Sequence, residues 1–116
     1  MNNVLYHLAC SDCGIMDGWH PTSSKWLAQV CGLSLKETLK ELRKLKAQGL
    51  AKSFYEAFYN DYREHWQVYW GWGTTLKAHD TEEFKKAWAR EREICKKCFD
   101  IDIGESYDDR TSKETP

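Results

Sequence analysis

The stretch Thr22-Ser-Ser-Lys-Trp-Leu-Ala-Gln-Val-Cys-Gly-Leu-Ser34, continued by Leu35-Lys-Glu-Thr-Leu-Lys-Glu-Leu-Arg-Lys-Leu-Lys-Ala-Gln-Gly-Leu50, decides the fold. Thr22, Ser23 or Ser24 can accept a bond from the free backbone N–H groups at the start of a helix. Trp26, Leu27 and Val30 then supply an inward face, and Gly32 ends that helix after Cys31. Ser34 opens the next helix, with Glu37 three residues on to complete a capping box. Leu35, Leu39, Leu42 and Leu45 recur at three- and four-residue spacings, so one face of this helix is buried. Gly49 closes it.

Beyond Gly49 the period changes. Residues 51–59 and 65–72 are rich in aromatics, and Trp66, Val68, Trp70 and Trp72 alternate with His65, Gln67 and Tyr69. That alternation predicts the two strands of a hairpin, joined by the polar Asn60-Asp-Tyr-Arg-Glu64. Asp80 or Thr81 caps a last helix with Phe84, Trp88, Cys95 and Phe99 along one side. Upstream, residues 3–9 predict a short helix carrying Val4, Leu5 and Leu8, interrupted by Cys10-Ser-Asp-Cys-Gly14. Asp17-Gly18 marks a turn, and Pro21 keeps His20 extended. Three helices, a hairpin and a fourth helix give an α+β fold with one domain over residues 1–99.

Residues 22–34 resemble the second helix and tight turn of a winged helix-turn-helix DNA-binding domain. Residues 38–50 are similar to that family's recognition helix and its exit into the wing. Ala28 lets two helices approach closely, and Gly32 can take the positive φ of the turn. The resemblance covers residues 3–99, with its motif confined to 22–50. It implies a three-helix core, a hairpin wing and a C-terminal helix. It also implies double-stranded DNA as the partner and transcriptional regulation as the function. The alternative is a winged-helix protein-interaction module working through the aromatic hairpin.

Charge along the chain bears on that choice. The 116 residues sum to a net −1, yet residues 22–52 hold seven basic side chains against Glu37 and Glu41. Residues 100–116 hold six acidic and two basic residues without apolar periodicity, and read as an acidic, disordered tail. Opposite the leucines lie Lys36, Glu37, Lys40 and Lys44, with Arg43 at the flank. Three lysines on one face suit phosphate contacts. Lys36 and Lys40 can instead reach guanine edges, and Glu37 a cytosine amino group.

Thr22, Ser23 and Lys25 stand where free N–H groups favour a phosphate, and Ser34 opens the recognition helix as a further candidate contact. Arg63, with Lys52 and His65, gives the hairpin a backbone contact that Asp61 and Glu64 oppose. Glu37–Lys40 and Glu41–Lys44 pairs would make part of this face an ordinary solvated surface. The Lys36, Lys40 and Lys44 spacing opposes that reading, since like charges four apart repel.

Five cysteines without a signal sequence point to a reducing, cytoplasmic compartment and against a disulfide framework. Cys10-x-x-Cys13 and Cys95-x-x-Cys98 have the spacing for two thiolates to share a tetrahedral ion. A structural zinc shared by all four, buried unligated thiols and a redox switch are the three readings. His7 and His20 are further candidate ligands. No apolar run is long enough to span a bilayer, and no phosphate loop, nucleophile elbow or metalloprotease motif occurs, so a non-enzyme is expected. Phe84, Ala87, Trp88, Glu91, Cys95 and Cys98 form a stripe on the last helix that could serve a homodimer or pack on the first helix of its own chain.

Overall fold

The protein is seen in a computed structural model that describes residues 1–14 and 21–107. The Asp17-Gly18 turn, the extended His20 and the acidic stretch beyond residue 107 lie outside the described residues. In chain order the elements are α1 (Asn3–Cys13), α2 (Ser24–Cys31), α3 (Leu35–Ala47), β1 (Ala51–Asn60), β2 (His65–Thr74), a 3₁₀ turn (Leu76–Asp80) and α4 (Glu82–Phe99). The described residues thus form an α+β fold of four α-helices and one two-stranded antiparallel sheet.

The first helix runs four residues past the expected stop at residue 9. Ser11 and Asp12 resemble breakers because short polar side chains compete with helical hydrogen bonds. Here they bond across the fold instead. Ser11 Oγ lies 2.6 Å from Thr22 Oγ1, and the Asp12 carboxylate accepts the Thr74 N–H at 2.6 Å. The helix is apolar on two sides, as a helix enclosed by neighbours should be. Val4, Leu5 and Leu8 meet Leu27, Leu42, Leu45, Ala51, Trp72 and Ala78. Ala9 and Cys13 meet Phe84, Ala87, Trp88, Cys95 and Ile103. A single helix therefore walls both halves of the core.

Ser23 caps α2 by accepting the Trp26 N–H at 3.1 Å. The buried residues of α2 are Leu27 and Ala28, which corrects the expected inward face, since Trp26 and Val30 are exposed. Gly32 supplies the left-handed turn at φ 67°, and the Leu33 N–H returns to the Ala28 carbonyl at 3.0 Å. Ser34 caps α3 by accepting the Glu37 N–H at 3.1 Å. Among the described residues no reciprocal bond comes from the Glu37 carboxylate, so one arm of the capping box forms. The core face of α3 is Thr38, Leu42 and Leu45. Leu35 is exposed, a second correction, because the buried stripe begins at Thr38, which is fully buried, and runs on through Leu42 and Leu45.

The hairpin pairs in continuous register from Ala51↔Thr74 to Asn60↔His65. Asn60 Oδ1 accepts the N–H groups of Tyr62 and Arg63 to fold the loop, and Glu64 leaves it at φ 52°. Core burial is confined to its base, at Ala51 and Trp72. There Thr22 pairs with Trp72 through two backbone bonds of 2.8 Å, adding one residue to the sheet edge.

After α4, Asp100 takes a left-handed conformation and turns the chain back. Ile103 is buried, the Trp88 indole N–H donates to the Gly104 carbonyl at 3.0 Å, and Tyr107 packs edge-on against Phe84 and Trp88. Packing therefore continues to residue 107, past the boundary expected at 99. The stripe considered for a homodimer is largely consumed within the chain, since Phe84, Ala87, Trp88 and Cys95 are buried against α1 and the returning segment. Among the described residues no helix is long and apolar enough to cross a membrane.

Candidate functional site

The face of α3 turned away from Thr38, Leu42 and Leu45 exposes Lys36, Glu37, Lys40, Arg43 and Lys44. Lys44 Nζ lies 3.4 Å from Glu41, an exposed pair of small energetic weight. Glu41 is also reached by the Asn2 amide at 3.4 Å. The expected Glu37–Lys40 pair is not formed. Among the described residues Lys36, Lys40 and Arg43 have no carboxylate within ion-pair distance. Four cations thus share a surface with Glu37, and among the described residues three of them have no carboxylate partner.

The other expected contacts divide. Lys25 is exposed in the first turn of α2. Ser23 and Ser34 are exposed, and their oxygens serve the helix caps while each hydroxyl proton stays free to donate. Thr22 is withdrawn from this set. It is buried, its hydroxyl is shared with Ser11, and its backbone is paired with Trp72. Arg63 is exposed at the hairpin tip, about 30 Å along ten-residue strands from their base. Lys52 lies over the Phe54 ring at 4.9 Å, and the His65 ring turns back on the Arg63 carbonyl at 3.1 Å.

A second surface is the aromatic hairpin on which the alternative reading rests. Cross-strand partners share a face, so Tyr55 and Trp70, Ala57 and Val68, and Tyr59 and Trp66 stand together. All six are exposed, and the Tyr59 and Trp66 rings meet edge-on at 5.8 Å. Neither strand places a charged residue on this face from Ser53 to Trp72, and Lys46 of α3 meets it at the base, where its Nζ donates to Ser53 Oγ at 3.3 Å.

The cysteines are not assembled into a metal centre. Cys13 and Cys95 are buried, Cys10 is half-buried and Cys98 is exposed. Among the described residues no three His, Cys, Asp or Glu side chains are grouped to hold an ion, so the four-cysteine ligand set does not converge. Cys95 Sγ donates to Glu91 at 3.7 Å. Cys31 donates to the Asn3 carbonyl at 3.7 Å, and burial pushes its thiol pKa up, which favours the protonated form. His20 lies outside the described residues.

Compared with protein-family models, curated proteins and solved structures, the chain gives no match.

Proposed function

We propose that this protein is a winged helix that binds double-stranded DNA through α3, acting as a transcriptional regulator and not as an enzyme. The observation that carries the reading is the exposure of Lys36, Lys40, Arg43 and Lys44 on one face of a helix whose opposite face is locked in the core. Support for the winged-helix topology comes from two serine-capped helices joined at a left-handed glycine and followed directly by a hairpin. The lysines supply phosphate contacts, and Lys36 and Lys40, nearest the α3 N-terminus, are the candidates for base edges. Lys25 and the Ser23 hydroxyl add backbone contacts.

The test is fluorescence anisotropy of a labelled duplex across a salt series. Affinity should fall steeply with salt, by about 0.9 in log–log slope for each phosphate neutralised. Lys36→Glu with Lys40→Glu should abolish binding while the fold persists, since both side chains lie outside the core. Folded protein that fails to bind any duplex at low salt would sink the reading. The second reading, a protein-contact module, is favoured by the uncovered aromatic face of the hairpin.

A further inference from the structure

The outer hairpin contains more uncovered ring surface than a solitary two-stranded element sustains. Two-stranded hairpins are marginal in water unless something packs on them. Here β1 and β2 meet the helices at their base, while Tyr55, Ala57, Tyr59, Trp66, Val68 and Trp70 are exposed. The four rings are 69, 47, 67 and 59 % exposed in the order Tyr55, Tyr59, Trp66, Trp70. At about 200 Å² per aromatic side chain this leaves roughly 500 Å² of ring surface on one face. A stable interface takes roughly 800 Å² from each partner, so the rings alone supply more than half.

The relief of the face selects the occupant. Tyr55 with Trp70 forms one ridge, Tyr59 with Trp66 a second, and Ala57 with Val68 the hollow between them. Ridge and hollow are two residues apart, about 7 Å along the strand. A two-fold axis that sets a ridge of one copy into the hollow of the other does so twice, which makes the face its own complement. No strand residue in the two ridges or the hollow is charged, and Lys46 reaches the face only at Ser53, so those rows can close on a second copy without desolvating an ion of their own. A nucleic-acid strand fits it less well. Stacked bases need cations tracking their phosphates, and the rows from Tyr55 to Tyr59 carry none: Lys46 stands at the base, bonded to Ser53 at 3.3 Å, and Arg63 stands at the tip beside Asp61 and Glu64.

We infer that the Tyr55, Tyr59, Trp66 and Trp70 face is the contact between two copies of this chain. The inference stands apart from the α3 reading, because an apolar contact persists in salt while a phosphate contact weakens. Sedimentation equilibrium of the full chain, from micromolar to hundreds of micromolar, should show a monomer–dimer equilibrium that survives high salt. Trp66→Thr and Trp70→Thr keep strand propensity, and each should raise the dissociation constant at least about 30-fold. Ala57→Lys removes no ring and puts a charge in the hollow, so it should yield a monomer with an unchanged helical signal. A monomer at every concentration would overturn the inference, as would a dimer indifferent to all three substitutions. Oligothymidylate bound by a monomeric chain, and lost in Trp66→Thr, would assign the face to single-stranded nucleic acid instead.

Discussion

The Asp12 carboxylate accepts both the backbone N–H and the hydroxyl of Thr74, joining the last turn of α1 to the last residue of β2 across 62 positions of sequence. Thr74 pairs with Ala51, so this bond fixes the hairpin base just where the strands leave the core. Asp12→Ala should cost about 1.5–3 kcal/mol, the range for hydrogen bonds to a charged group. Asp12→Asn, which retains an acceptor oxygen, should cost less. Urea titration followed by helical circular dichroism measures both, and equal midpoints for wild type and Asp12→Ala would deny the bond any role in stability.

Gly71, three residues earlier on the same strand, supports the same base. A Cβ at this position would lie 2.6 Å from the Thr22 carbonyl oxygen and 2.9 Å from its carbon, both backbone atoms that cannot turn aside. Gly71→Ala should therefore separate Thr22 from Trp72 and cost about 1–3 kcal/mol, as overpacking does. Faster amide exchange at Thr22 and Trp72, together with a lower melting temperature, is the expected result. Unchanged protection at both amides would mean that the strand edge accommodates the methyl group.

The returning segment after α4 has its own clasp. Arg92 bonds the Asp102 carboxylate at 2.8 and 3.1 Å, and the Gly104 N–H adds a third bond at 2.9 Å. The guanidinium first, and the Gly104 amide second, hold the Asp102 carboxyl well below the usual carboxylate range. A carboxyl whose folded pKa is depressed stabilises the fold fully above its unfolded value, near pH 4. That contribution fades as the pH falls from there through the folded value. The Trp88 indole N–H, bonded to Gly104, reports the clasp by NMR. Its resonance should hold from neutral pH to about pH 4 and move only in stronger acid. Arg92→Gln leaves the Gly104 bond and the Lys96 ion pair at 3.6 Å in place, so it should move the transition upward towards, but not fully into, the ordinary carboxylate range. Identical acid profiles for the two proteins would exclude Arg92 as the main cause.

Local chemistry made the helix caps and the hairpin readable in sequence. Ser23, Ser34 and Gly32 act through bonds to near neighbours or through their own φ, and each does so here. Periodicity was less decisive in α2, where Trp26 and Val30 are spaced by four, as are Leu27 and Cys31. Both pairs fit an inward stripe, and only the position of α1 and α3 selects the second. Ser11, Asp12 and Thr22 were misread for a related reason. Their local preferences suggest breaks and caps, whereas their partners are remote in sequence. Of the α3 surface, the lysine face was legible because it is the complement of a core stripe, and the missing Glu37–Lys40 pair was not, because spacing permits an ion pair without enforcing it.

Thr22 and Lys25, three residues apart and both expected at a phosphate, should separate experimentally. The Thr22 hydroxyl is 2.6 Å from Ser11 Oγ and the residue is buried, so Thr22→Val removes an internal bond and no surface donor. It should cost about 1 kcal/mol of stability and leave duplex affinity unchanged at temperatures where the protein stays folded. Lys25 is exposed and free of carboxylates among the described residues. Lys25→Ala should leave stability within about 0.5 kcal/mol. It should also weaken binding to all duplexes alike and lower the salt slope by about 1. Anisotropy titrations at two salt concentrations, paired with melting curves, decide between them. Lost affinity in folded Thr22→Val, with Lys25→Ala binding normally, would move the contact from the exposed first turn of α2 to the strand edge at Thr22.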